Sequence, residues 1–269
     1  MSKLLTDTTT STTLNNYTCI NKLEKLNNIL ALFESISLKE MDNVKLLNRT
    51  DTKFVFNLNT LEQFLESCSK DYKILTIKNK NIASYKTLYF DTKDFEFYNH
   101  HHNQKGNRFK VRIRKYVDSS LCFLEIKNKI KGRTIKTRTL INDFEENLST
   151  ESIDFIQKIV QNKNPLQMKI WNSFDRITLT NEKRKERLTI DINLSFELGE
   201  EKKQLKNIVI CELKQERVNI QSPAYIKLKK LQIRPARISK YCIGAGSVYQ
   251  NLKINRFKKK FIQLKKISA

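Results

Sequence analysis

The stretch Arg108-Phe-Lys-Val-Arg-Ile-Arg114 constrains the fold of this chain more than any other. Cations stand at 108, 110, 112 and 114, with Phe109, Val111 and Ile113 between them. A repeat of two residues belongs to a β-strand and not to a helix. One face of that strand is apolar, and the other holds like charges spaced roughly 7 Å apart. Such a face is either solvated or lies against something anionic, because like charges held together repel.

The pattern recurs. Cys122 to Lys129 places Glu125, Lys127 and Lys129 on one face and Leu124 and Ile126 on the other; after a turn at Lys131-Gly132, Lys136 and Arg138 share a face. Phe174 to Thr180 and Glu186 to Phe196 read as a hairpin across residues 181–185, with Arg187, Thr189 and Asp191 opposite Leu188, Ile190 and Ile192. Ile208 to Lys214 sets Glu212 and Lys214 against Val209, Cys211 and Leu213. Solvation explains one such strand. Repeated strands, with the carboxylates Asp51, Glu125, Asp191 and Glu212 set among the cations, point to a shared lining.

The apolar faces need covers, and helical spacing supplies them. Leu23, Leu26, Ile29, Leu30 and Phe33 form one candidate helix; Leu61, Phe64, Leu65 and Cys68 form another, with a cap expected at Asn59 or Thr60. Ser149-Thr150 precedes Ile153, Ile156, Ile159 and Val160, and Ser222-Pro223 opens a further helix through Ile226, Leu228 and Leu231. The consistent solution is an α+β fold: an antiparallel sheet curled into a barrel, helices outside, charged faces inward. That interior suits a phosphate chain, with Arg forks gripping oxygens and carboxylates holding a divalent metal.

The charge distribution agrees. The chain of 269 residues has 51 Lys and Arg against 28 Asp and Glu, a net +23. Residues 105–138 hold 12 basic and 2 acidic residues, and 227–269 hold 13 basic and none acidic, so the rest is neutral. Hydrophobic residues at 39% exclude a wholly disordered polycation. The longest useful apolar stretch, Ile29 to Phe33, is far short of the ~20 residues of a spanning helix. The polar, Thr-rich start lacks a signal-peptide core, so a cytoplasmic protein is expected. Cys19, Cys68, Cys122, Cys211 and Cys242 lack paired spacing and read as free thiols.

Nine segments in order now carry a family resemblance: Arg49-Thr-Asp-Thr-Lys53-Phe, Leu88-Tyr-Phe-Asp91-Thr, Lys110-Val-Arg-Ile-Arg114, Phe123-Leu-Glu-Ile-Lys127, Lys136-Thr-Arg138, the Arg176 strand, Arg187-Leu-Thr-Ile-Asp191, Cys211-Glu-Leu-Lys214 and Ile238-Ser-Lys240-Tyr. Together they resemble the VTC (vacuolar transporter chaperone) domain, the polyphosphate-polymerase branch of the CYTH-like triphosphate tunnel metalloenzymes. The resemblance implies an eight-stranded antiparallel tunnel, ATP as phosphoryl donor, Mn2+ or Mg2+, and linear polyphosphate as product of a metal-dependent phosphotransferase.

Residue by residue, it implies that Arg112, Arg114, Lys127, Lys136, Arg176 and Arg187 are catalytic. Arg49, Lys53, Lys110, Arg138, Lys214 and Lys240 would bind phosphate, and Glu212 the metal. Related tunnel hydrolases carry E-x-E-x-K on the first strand; here Arg49 replaces the first glutamate and leaves Asp51 alone, which favours the polymerase branch. The division expected is 1–35 as a flexible segment and helix, 36–250 as the tunnel domain, and 251–269 as a basic amphipathic tail.

Two other functions compete. One is hydrolysis of an inorganic or organic triphosphate in the same tunnel. The other is nucleic-acid binding, disfavoured because the cations share faces with carboxylates and lack aromatic stacking platforms beyond Phe109 and Tyr116. His100, His101 and His102 read as a solvated loop, with a phosphate contact next and a metal site last. Trp171 reads as packing. The tail, with Ile254, Phe257, Phe261 and Leu264 among lysines, fits either packing on the barrel or peripheral docking at a membrane. Any membrane-spanning partner would be a separate polypeptide.

Overall fold

Alternation along the strands becomes a sheet with two different faces. The computed structural model describes residues 24–41, 49–130, 133–161 and 164–269. The Thr-rich start, Cys19, Leu23 and the turn at Lys131-Gly132 lie outside these. The strands are β1 (Glu34–Ile36), β2 (Thr50–Asn57), β3 (Lys73–Leu75), β4 (Ile82–Thr92), β5 (Arg108–Tyr116), β6 (Leu121–Ile130), β7 (Arg133–Ile141), β8 (Leu166–Asn181), β9 (Glu186–Leu198), β10 (Glu201–Gln204) and β11 (Ile208–Gln215). The helices are α1 (24–30), α2 (Leu38–Met41), α3 (Leu61–Cys68), α4 (Glu96–His102), α5 (Thr150–Val160), α6 (Pro223–Lys230), α7 (Lys240–Val248) and α8 (Lys258–Ser268).

Eight strands form one antiparallel path in the order β2-β11-β9-β8-β4-β5-β6-β7, so the expected α+β fold with a curled sheet is present. Its end strands, β2 and β7, share no ladder among the described residues. The outer edge of β2 is instead strapped by the segment before α7: Phe54 bridges Pro235, and the Ala236 N–H donates to the Lys53 carbonyl at 2.7 Å.

The convex face is apolar and covered twice. Phe54, Phe56, Ile190, Val209, Cys211 and Leu213 pack under α1, α3 and α6. Leu88, Phe90, Val111, Ile113, Leu124 and Ile126 pack under α4 and α5 through Phe97, Ile156 and Val160. Cap chemistry sets the helix starts. Ser149 Oγ accepts from the Ser152 N–H at 3.2 Å, and Ser222 Oγ accepts from Tyr225 N–H at 3.5 Å with Pro223 opening α6. The α3 cap departs from expectation. Neither Asn59 nor Thr60 caps it; Asn57 Oδ1 accepts the Asn59 N–H at 2.9 Å and starts a 3-10 turn that runs into the helix.

Three further points differ from or refine the sequence reading. His100 to His102 form the last turn of α4 instead of a loop. His102 is buried, its Nδ1 3.0 Å from Asn103 Oδ1 and its Nε2 accepting the Arg256 N–H. The C-terminal segment packs on the barrel: Phe257 and Leu264 are buried, and Asn57 Nδ2 donates to the Ile267 carbonyl at 2.5 Å. Cys68, Cys122, Cys211 and Cys242 are buried free thiols.

The concave face changes character along the strands. At one end it is apolar: Val55, Tyr89, Ile170, Leu194, Phe196 and Ile210 form a core with Tyr241, Cys242, Ile243 and Ala245 of α7. The helix thus fills that part of the curl. Gly244 permits the approach, since an added Cβ would stand 2.6 Å from Phe196 Cε1.

Candidate functional site

Cations and carboxylates share the remainder of the concave face, and the strand register decides which meet. Lys53 lies directly opposite Glu212 across β2 and β11, Arg112 opposite Glu125 across β5 and β6, and Arg176 opposite Asp191 across β8 and β9. Each carboxylate is held by two cations. Arg112 donates from Nε to Glu125 Oε2 at 2.8 Å, and Lys136 pairs with the other oxygen. Arg176 grips Asp191 from Nε and Nη2 at 2.5 and 2.8 Å, while Lys240, the first residue of α7, pairs with Oδ2. Lys53 pairs with Glu212 Oε1, and Lys214 reaches Oε2 at 2.8 Å and Thr189 Oγ1 at 2.9 Å. Asp51 meets Arg49 at 3.2 Å and Lys127 at 3.8 Å.

Glu125 and Asp191 are buried and Glu212 is half-buried, and their cation partners fix their charge states. Burial alone would raise the Glu125 carboxyl, yet Arg112, Arg114 and Lys136 hold it far below the usual range. Burial likewise opposes ionisation of Asp191 and Glu212. Arg176 and Lys240 overcome it in the first, and Lys214 and Lys53 in the second. The lysines move the other way. Burial pushes Lys214 and Lys136 down to about 8 and Lys240 and Lys110 to about 7, despite the acids beside three of them. Lys110 has only a hydroxyl partner, Ser239 Oγ at 2.9 Å.

Among the described residues of this surface, Arg114 and Arg187 make no direct ion pair. Arg114 is 7% exposed and stands over the Tyr85 and Phe174 rings at 5.6 and 5.7 Å from their centroids; its Nε reaches only Thr87 Oγ1, at 3.4 Å. Arg187 Nε is buried with no hydrogen-bond partner. An unspent guanidinium donor in a buried site costs free energy that an anion recovers. Arg138, by contrast, is exposed and lies over Phe123 at 4.6 Å.

All twelve cations expected from sequence therefore reach or border one concave surface, though Arg49 and Arg138 sit at its margin. Sequence reasoning put Thr189 on the charged face and Ser239 in a motif without giving either a role, and it missed Thr87 and the Tyr85–Phe174 stack (centroids 5.1 Å apart) that also supports Arg176. Thr87 and Tyr85 lie on the charged face of β4 by simple alternation, and that signal was available. Asp91, in the Tyr-Phe-Asp-Thr motif, does not face a ligand site. It is fully buried and accepts from the N–H groups of Phe97 and Tyr98 and from the Tyr241 hydroxyl at 2.6 Å, tying α4 to α7.

A divalent cation finds limited provision. Among the described residues no three His, Cys, Asp or Glu side chains gather as a metal site. Both oxygens of Glu212, the residue expected to bind a metal, are held by lysines. Magnesium characteristically binds through one or two carboxylates plus substrate phosphates, so a single glutamate completed by a nucleotide fits that donor chemistry.

The VTC domain model matches residues 48–249. No curated protein matches the chain. Similar solved structures include a candidate adenylate cyclase from Bacillus halodurans, at 14% identity and a TM-score of 0.44, covering 78% of this chain and 97% of that one. A second, from Vibrio parahaemolyticus, has 11% identity and a TM-score of 0.42 over 73% and 98%. A Hippeastrum protein described as a candidate adenylyl cyclase with a dominant triphosphatase activity has 14% identity and a TM-score of 0.43 over 76% and 98%. No helix among the described residues is long and apolar enough to cross a membrane.

Proposed function

Because the chain belongs to the VTC-domain family, we propose that it is a metal-dependent phosphotransferase that extends inorganic polyphosphate with the γ-phosphate of ATP. The observation that carries this reading is the concave surface itself. Its cations outnumber its carboxylates, and Arg114 and Arg187 keep donors without acid partners.

Phosphoryl transfer needs in-line positioning and cancellation of charge on the transferring oxygens. Arg112, Arg114, Lys127 and Lys136 cradle the nucleotide's phosphates, with Glu125 fixing Arg112 and Lys136 until the nucleotide arrives. Arg176, Arg187, Lys214 and Lys240 hold the growing chain. Its terminal phosphate oxygen forms the new bond to the γ-phosphorus as the bond to the β–γ bridging oxygen breaks and ADP leaves. The attacking phosphate is already ionised at neutral pH, so no general base is required. Glu212 would hold the divalent cation, Mn2+ or Mg2+, which supplies Lewis-acid charge cancellation on the phosphates. Lys53 and Lys214 then turn from Glu212 to phosphate oxygens.

Arg49 stands in place of the first of the paired first-strand glutamates of tunnel hydrolases and leaves Asp51 alone, and this supports polymerisation over hydrolysis. The purified protein incubated with ATP and Mn2+ is expected to yield long acid-labile chains and ADP. Release of orthophosphate alone would replace this reading with a triphosphatase. Glu212→Gln is expected to abolish the metal-dependent turnover, and near-normal activity in that variant would remove Glu212 from the metal role.

A further inference from the structure

One end of the concave surface carries cations that the reaction does not use. Arg108 at the start of β5 lies directly opposite Lys129 on β6. Like charges so placed repel, with Cβ atoms ~5 Å apart. At Lys53, Arg112 and Arg176 a carboxylate stands directly opposite the cation. Here none does, for neither residue makes an ion pair among the described residues.

Two further cations come to the same place from the C-terminal part of the chain. Arg237 precedes Ser239, whose hydroxyl is bound by Lys110 of β5, so the segment is moored beside Arg108. Lys260 lies over the Phe257 ring at 5.0 Å, and that ring packs on His101 at 6.0 Å and His102 at 5.2 Å at the end of α4. His101 Nδ1 is buried there without a partner. The mutual influence of the group is visible in its basicity. Burial first, then Arg108 and Arg237, lower Lys129, and burial with Arg237 and Arg108 lowers Lys260. Arg237 is exposed and the others half-buried, so the group is open to a ligand.

Its position matters. On the β2, β11, β9 and β8 side, this end of the curl is filled by α7. The β5–β6 side is left, and Arg108, Lys129, Arg237 and Lys260 flank it. We propose that these four residues form a second polyphosphate site, which grips the segment of a long chain that has passed beyond the reacting residues. This rests on the polymerase reading for the identity of the chain, but on the four residues alone for the site. The ligand is a linear polyphosphate long enough to reach from the catalytic cations to this end, which tripolyphosphate is not.

The test compares long-chain polyphosphate with tripolyphosphate by titration calorimetry on the full chain. The double charge reversal Arg237→Glu, Lys260→Glu is expected to weaken the long chain by about tenfold or more, for two lost charge-assisted phosphate contacts. Tripolyphosphate binding should stay within about twofold by the same reasoning, its contacts lying inside. The reference is Lys202→Glu with Lys203→Glu, an equal change of charge on exposed β10 residues that pair with Glu197 and Glu201. Equal weakening of both ligands, equal weakening by the β10 pair, or an unchanged long-chain affinity overturns the second site. A wild-type protein that shows the expected pattern yet releases only orthophosphate from ATP leaves the site standing and removes the polymerase reading. Chain synthesis with an unaffected long-chain affinity does the reverse.

Discussion

Replacing Asp191 with Asn tests whether the lining carboxylates stand where phosphates bind. Asp191 is 2% exposed and holds Arg176 through both oxygens and Lys240 through one. Asn keeps the volume and removes the charge. Breaking a buried pair by deleting one partner costs about 3–5 kcal/mol, mostly for the charge left behind. The two stranded cations differ. Lys240, already pushed by burial down to about 7, sheds its proton and limits its share; Arg176 cannot. The lower end, ~3 kcal/mol, is therefore expected. At about 2–4 °C per kcal/mol for a domain of this size, the melting temperature at neutral pH falls by roughly 6–12 °C. Tripolyphosphate should then restore more to the variant than it adds to the wild type. In the wild type the ligand must displace Asp191 from Arg176, whereas the variant offers a bare guanidinium. At a hundredfold excess over its dissociation constant a ligand contributes about 2.7 kcal/mol, enough for calorimetry to resolve. A melting temperature within about 2 °C of wild type, or equal stabilisation of both proteins, would refute the idea that Asp191 occupies a phosphate position.

Three other outcomes follow from the same geometry. Lys110 and Lys240 titrate at about 7 and Lys136 and Lys214 at about 8, so polyphosphate affinity should fall as pH rises through that range, well below the ~10.4 of free lysine; calorimetric affinities at stepped pH check this. The stability contribution of these lysines has the opposite sense. From pH 7–8 up to ~10.4 the unfolded chain binds more protons than the folded one, so stability from these groups rises with pH, as denaturant midpoints should record. Gly244→Ala drives a methyl into the fully buried Phe196 ring and should cost about 1–3 kcal/mol, read as a lowered melting temperature, with polyphosphate binding weakened as α7 carries Lys240 outward.

The strands and their charged faces were legible because alternation is local: Lys110, Arg112 and Arg114 announce one face within a single strand. The caps at Ser149 and Ser222 were legible for the same reason. Pairings were not. That Lys53 shares Glu212 with Lys214, or that Lys240 shares Asp191 with Arg176, depends on register between strands and helices far apart in sequence. The role of α7 was also hidden. Its apolar sequence looks like ordinary core, and only the packed structure shows Tyr241 and Ile243 filling the curl beside Val55 and Ile210. The histidine run misled because three adjacent polar residues read as a solvated loop, whereas they form a helical turn in which His102 turns inward onto Phe257.

The missing ladder between β2 and β7 has a topological meaning. A closed hydrogen-bonded barrel encircles a polymer, and an encircled polymer departs only by one of its ends. Among the described residues no hydrogen-bonded ladder joins β2 to β7, and Asp51 of β2 meets Lys127 of β6 through a long side-chain contact of 3.8 Å. Under the polymerase reading a bound chain lies in an open curl and is held by contacts, not by a closed backbone ring. Its release requires contacts to break, and requires neither a free end nor passage along the full length of the chain.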